Sequence, residues 1–296
     1  MLSEVIRVSK CMLCPRKCGA DRENGELGVC SVSQTLKIAR IAPHYWEEPC
    51  ISGVNGSGAV FFSGCPLRCV YCQNREINSG AVGKEYTVDE LAEQLKKLEA
   101  SGVHNINLVT PTHYTPQIAS VLEKARLHIP VVYNCGGYEL PQTLALLKGK
   151  VQIYLPDFKY SDATLAQRYS FAADYPQVAL NAIDCMLEQV GEPVFDGDGL
   201  MKSGVIVRHL VLPNHTDESM KAIRMLHERY GNQIYISIMN QYTPMPDVNV
   251  DELSRPVTDD EYALVLDYAE HLGVVNGFVQ ESGTVGESFI PPFSDD

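Results

Sequence analysis

No apolar run in the 296 residues approaches the roughly 18 needed to cross a bilayer. The opening stretch MLSEVIRVSK has no apolar core of the kind that marks a secretory signal. These two absences lead to the expectation of a cytoplasmic protein without a membrane span. An excess of basic residues is lacking too. The formal charge is −13, which argues against a nucleic-acid partner, since such proteins carry a basic face. Nor is the chain poor in apolar residues or biased towards Gly and Pro, so it has the material for one large domain or two small ones. The glycine-rich stretch SGVNGSGAV (52–60) lacks both the Walker lysine and the G-x-G-x-x-G spacing, and a strand pattern follows it where a phosphate loop needs a helix. It reads as a turn.

The charge is unevenly spread. Residues 1–40 carry seven Lys/Arg against four Asp/Glu, while residues 241–296 carry one against twelve. The acidic end reads as a solvated surface. The basic end leaves room for a docking role.

Cysteine is abundant, at ten residues. In a reducing compartment, disulfides are rare and clustered thiols point to metal or catalysis. Two clusters stand out: Cys11, Cys14, Cys18 and Cys30, then Cys65, Cys69 and Cys72. Cys50, Cys135 and Cys185 stand alone. Four thiolates close a tetrahedral site, so the first cluster suits a structural zinc or an auxiliary [4Fe–4S] cluster. Three thiolates leave one iron of a [4Fe–4S] cluster with an open position, which a substrate or cosubstrate can fill.

From residue 59 the chain alternates short, continuously apolar runs with helical patterns. The runs are AVFFS (59–63), NINLVT (105–110), PVVYN (130–134), VQIYLPDF (151–158), GVIVRHLVL (204–212), QIYISIM (233–239) and NGFVQ (276–280). Continuous apolarity predicts parallel strands covered on both faces. Helices are expected over 87–102, near 116–127 and 139–148, over 161–190, and near 216–230 and 258–272. Thr87 and Glu90 form a capping box for the first of these, and Leu91, Leu95 and Leu98 line one face. The fold class is α/β: a partial (β/α) barrel of about six parallel strands, with an open doubly wound sheet as the alternative. Three parts follow: a Cys-rich segment over 1–58, the barrel over 59–281 and a tail over 282–296. Polar residues gather at the strand ends, among them Thr110, Thr112, Asn134, Asp157, Lys159, Arg208, His209, Gln280 and Glu281. A barrel would bring these ends to one face, where its active site lies.

Cys65-x3-Cys69-x-Tyr71-Cys72, at the end of a first strand, resembles the signature of the radical S-adenosylmethionine (SAM) superfamily. CPLRCVYCQN, DFK (157–159) and VRHLVLP (207–213) together look most like its pyruvate formate-lyase-activating-enzyme branch. The resemblance covers most of residues 59–281. It implies a [4Fe–4S] cluster on Cys65, Cys69 and Cys72 that binds SAM at its open iron. The cluster would cleave SAM reductively, to methionine and a 5′-deoxyadenosyl radical that takes hydrogen from a substrate. It further implies Tyr71 beside the adenine, and Asn134, Asp157, Lys159 and Arg208 around the ribose and carboxylate. A flavodoxin or ferredoxin would serve as electron donor and a glycyl-radical protein as substrate. Where the superfamily carries Gly-Gly-Glu-Pro, this chain reads VTPTHYTP. Thr112 or His113 would then accept the SAM amino group's hydrogen bond, and His113 reads equally as a loop residue. Two rivals stay open: a radical SAM enzyme acting on a small molecule, nucleotide or peptide, and a non-catalytic zinc or iron–sulfur protein.

Overall fold

The structure, a computed structural model, describes residues 10–245 and 248–280. Glu281 and the expected 282–296 tail lie outside the described residues. Ten strands are present: β1 (Leu36–His44), β2 (Ser57–Phe62), β3 (Lys84–Tyr86), β4 (Ile106–Val109), β5 (Val131–Cys135), β6 (Ile153–Pro156), β7 (Val194–Phe195), β8 (Met201–Leu210), β9 (Tyr235–Met239) and β10 (Gly277–Val279). They run in the order β10-β9-β8-β6-β5-β4-β2-β1-β3, with β7 against β8. Seven of them, β2 through β10 without β3 and β7, pair in parallel, and each pair is joined by a helical crossover. Among the described residues β3 and β10 do not pair, so the sheet curls without closing. This is the partial barrel that the apolar runs imply.

The central strands are buried on both faces, and every residue of β2, β4, β5 and β6 is buried. The helix Val88–Ala100 starts on the expected capping box, with the Thr87 hydroxyl accepting the Glu90 N–H at 3.2 Å. The expected 161–190 helical stretch is two helices, Ala163–Ser170 and Tyr175–Val190. The expected 139–148 helix is reduced to Pro141–Leu144 and one 3-10 turn.

β1 carries no signal in the sequence. It pairs antiparallel with β2 and takes β3 on its other side, so its residues are mostly half-exposed and carry no continuous apolar run. The chain before it, residues 10–35, forms loops with one 3-10 turn (Arg22–Asn24), draped over the strand-end face. Thr143 donates to the Leu13 carbonyl at 2.8 Å and Gln117 to the Gln34 carbonyl at 3.0 Å.

One glycine sets the junction between these loops and the barrel. Gly64 has φ 85°, and a Cβ there would lie 2.4 Å from the Cys30 carbonyl oxygen. The next residue, Cys65, donates its N–H to that same oxygen at 3.2 Å. Gly64→Ala is therefore expected to cost about 1–3 kcal/mol, because backbone must shift at a strained position. Equilibrium denaturation of the two proteins measures this.

Candidate active site

Strand ends β2, β4, β5, β6, β8 and β9 converge on one cavity of about 210 Å³. Cys65, Cys69, Cys72 and Tyr71 reach it from the loop after β2, and Thr112 from the turn after β4. Asn134 comes from β5, Asp157 and Lys159 from the end of β6, and Arg208 from β8. Of the residues that the sequence singles out for the three-cysteine centre, nine thus line a single space and His113 does not.

The three thiols are held as sulfur ligands need to be. Burial raises Cys65 to about 11 and Cys72 to about 12, and the neighbouring thiols push in the same direction. Without a compensating cation Cys65 and Cys72 stay protonated, and a metal that binds them displaces their protons. Backbone N–H groups of Leu67 and Arg68 face the Cys65 sulfur, that of Asn74 faces Cys72, and Ser170 donates to the Cys69 sulfur at 2.9 Å. Three thiols lining one cavity are the donor set of a [4Fe–4S] cluster with one iron left open.

Opposite the thiols lies a buried ion-pair network. Asp157 accepts from Lys159 at 2.6 Å and from Arg208 Nε at 3.0 Å. Arg208 also donates to the Asn134 side-chain oxygen at 2.5 Å and to Glu47 at 3.2 Å. Burial opposes charge on Asp157, but the two cations outweigh it and hold the carboxyl below its usual range. Lys159 uses one of its three N–H donors on Asp157, which leaves the others for an anion in the cavity.

Glu47 had no sequence signal. It follows β1, accepts from Asn107 and Asn134 at 2.9 and 3.2 Å, and completes the network around Arg208. Glu139 was missed as well, although it ends the stretch YNCGGYE. It is 1% exposed, lines the cavity, and accepts from Thr112 at 2.5 Å and Tyr133 at 3.3 Å. Burial pushes its carboxyl up to about 7. An acid whose folded value is raised contributes stability that is present below its unfolded value and lost as pH rises through the folded one. Melting midpoints should therefore fall between about pH 4.5 and pH 7 through this group, and Glu139→Gln should remove that part of the slope.

His113 does not reach the cavity. It is 1% exposed, and its Nε2 donates to the Ser63 carbonyl at 2.8 Å, which leaves Thr112 as the cavity-facing member of the pair. Burial keeps the ring neutral, down to about 3. Tyr71 turns its hydroxyl away to accept from Tyr160 at 2.7 Å. Cys135 lines the cavity as a buried thiol beside Glu139, and burial raises it well above the ordinary range.

The four upstream cysteines gather in the draped loops. Cys14 and Cys30 are buried, and Cys11 and Cys18 half-buried. Burial opposes charge on Cys18, but the Ala20 and Val29 N–H groups and the Cys11 thiol outweigh it and lower its value. The buried Arg22 guanidinium stands 3.9 Å from the Cys11 sulfur and donates to the His113 carbonyl at 2.7 Å. The donor set suits a metal that prefers thiolate.

A family model described as the Radical SAM superfamily matches residues 59–227. The uncharacterized protein MJ0674 of Methanocaldococcus jannaschii is 29% identical over 276 residues, covering 88% of this chain and 74% of its own length. Among solved structures, Streptococcus suis SuiB bound to its precursor peptide SuiA aligns with a TM-score of 0.53 at 14% identity, over 74% of this chain and 47% of SuiB. SuiB bound to S-adenosylmethionine aligns with a TM-score of 0.53 at 15% identity, over 74% and 49%. This chain thus spans about half the length of the solved structures it matches, and the likeness to them is one of fold.

Proposed function

The chain belongs to the radical SAM superfamily, and from that premise we propose that Cys65, Cys69 and Cys72 hold a [4Fe–4S] cluster beside a SAM site in the same cavity. Bound together, these groups supply reductive cleavage of the sulfonium C5′–S bond and a 5′-deoxyadenosyl radical that removes hydrogen from a substrate. The single observation that carries this reading is the convergence of three thiols and the Lys159–Asp157–Arg208 network on one cavity.

The protein's part is binding and orientation. The spare N–H donors of Lys159 take the SAM carboxylate in charge-assisted bonds, and Asp157 and Arg208 fix the lysine in place. Asn134 and Tyr71 face the nucleoside part. Thr112 presents Glu139, and this carboxylate receives the ammonium in place of the glutamate missing from VTPTHYTP. The Ser170 hydroxyl and the backbone N–H groups tune the sulfurs. The four upstream cysteines hold a second metal, zinc or another [4Fe–4S] cluster, that fixes the draped loops. All ten cysteines are unpaired, which fits a cytoplasmic location; among the described residues no helix is long and apolar enough to cross a membrane.

For the substrate we propose a glycine in a glycyl-radical protein. The support is the resemblance of CPLRCVYCQN, DFK and VRHLVLP to the activating-enzyme branch. A peptide substrate is the second reading, favoured by the fold shared with SuiB, which was solved with a precursor peptide. The reduced, SAM-loaded protein mixed with a candidate glycyl-radical partner should give the doublet EPR signal of a glycyl radical. If the partner stays EPR-silent while a peptide is modified, the second reading stands instead.

A further inference from the structure

Three loops meet on the outer side of Cys69, and each passes through a left-handed residue: Lys17 (φ 41°), Arg68 (φ 56°) and Phe171 (φ 54°). None is Gly, Asn or Asp, the types that enter this region cheaply. One side chain ties the loops together. Arg16, next to Lys17, donates Nε to the Pro66 carbonyl at 2.7 Å, and Nη2 to those of Leu67 and Ser170 at 3.2 and 2.7 Å. Its Nη1 takes the Phe171 carbonyl as well. Strained backbone of this sort persists only where surroundings over-determine it, and it concentrates at working surfaces.

The strain presents a distinctive surface. Lys17, Arg68 and Phe171 are all exposed, Phe171 at 53%. Among the described residues the side chains of Lys17 and Arg68 make no hydrogen bond or ion pair. Of the acids on neighbouring segments, Glu252 pairs with exposed Arg168, and Asp174 accepts from Tyr138 at 2.6 Å and keeps its charge. A chain of net charge −13 thus keeps two unpaired cations around one exposed aromatic ring. An apolar centre within a charged rim is the composition of a protein-binding surface.

Behind this patch stands Cys69. Arg68 precedes it directly, and Ser170, the residue before Phe171, donates to its sulfur at 2.9 Å. We infer that Lys17, Arg68 and Phe171 form the docking surface for an acidic one-electron carrier protein, which passes its electron inward through the Cys69 sulfur. This rests on the reading that Cys65, Cys69 and Cys72 hold a redox cluster. The step is balanced: the carrier loses one electron, the cluster gains it, and no atom is transferred.

The test uses the reconstituted full chain, flavodoxin as the carrier, and the double variant Lys17→Glu/Arg68→Glu. Flavodoxin binding should weaken by about tenfold or more and lose its salt dependence, because rim charges govern encounter. Stopped-flow bleaching of the cluster by flavodoxin hydroquinone should slow by a similar factor, while bleaching by dithionite should change less than about threefold, the carrier's docking site being dispensable for a small reductant. Arg68→Gln and Phe171→Ala should shift the same way by less. Unchanged flavodoxin binding in the double variant overturns the inference. So does equal slowing with both reductants, which would mean a damaged cysteine loop. SAM cleavage is read separately: its absence with normal bleaching counts against the radical chemistry and leaves the docking surface standing.

Discussion

Cys69→Ala should abolish SAM cleavage, by at least about a thousandfold, since groups that act as a unit fail together when one is removed. The residue supplies one of three thiols lining the cavity and receives the Ser170 hydroxyl at 2.9 Å. Its side chain is only half-buried, so truncation leaves a small gap and most of the fold's stability. The loss is therefore chemical, and a melting curve close to the parent's should accompany it. Cys185→Ala is the control. That thiol lies on the helix Tyr175–Val190 outside the cavity, and its removal should leave cleavage at the parent rate. Quantifying 5′-deoxyadenosine from the three proteins decides it, and cleavage at the parent rate by Cys69→Ala would assign the cluster elsewhere.

Arg208→Met should destabilise the protein by about 3–5 kcal/mol, the usual cost of leaving buried charges unpaired. The guanidinium joins Asp157, Glu47 and Asn134, and the two acids are 16% and 9% exposed in their side chains. Methionine fills much of the volume but leaves Glu47 without its cation and Asp157 with Lys159 alone. The pH dependence has a definite sign. A carboxyl held low when folded contributes stability that is present above its unfolded value and lost as pH falls through the folded one. Removing Arg208 takes away part of that for Asp157. The gap between parent and variant should thus be widest near pH 7 and narrow as pH falls from about 4 through the lower folded value of Asp157. Urea denaturation at several pH values measures this, and a gap constant with pH would mean that the arginine acts by packing alone.

The barrel was legible because its central parallel strands are covered on both faces and announce themselves as apolar runs, as NINLVT and PVVYN do. β1 was not, because an antiparallel strand near the sheet's margin alternates and is half-exposed. The cysteine loop was legible because its three cysteines lie within eight residues. Glu47 and Glu139 were not, because each works through partners brought together only by folding: Arg208 lies 161 residues from Glu47, and Thr112 lies 27 from Glu139. An isolated glutamate in a loop reads as solvated surface. Arg16 was hidden differently. It sits inside a cysteine motif, where attention goes to the thiols, yet its guanidinium meets carbonyls 50 to 155 positions away. The division of the chain at residue 58 carries a similar lesson, since β1 lies before that point and pairs along its length with β2.

The most direct test is anaerobic reconstitution with iron and sulfide, followed by dithionite and SAM. Three cavity thiols facing Lys159, Asp157 and Arg208 predict 5′-deoxyadenosine and methionine in equal amounts, with a change in the reduced cluster's EPR spectrum when SAM is added. A reduced cluster that forms on Cys65, Cys69 and Cys72, keeps its spectrum with SAM present and yields no 5′-deoxyadenosine would contradict the account.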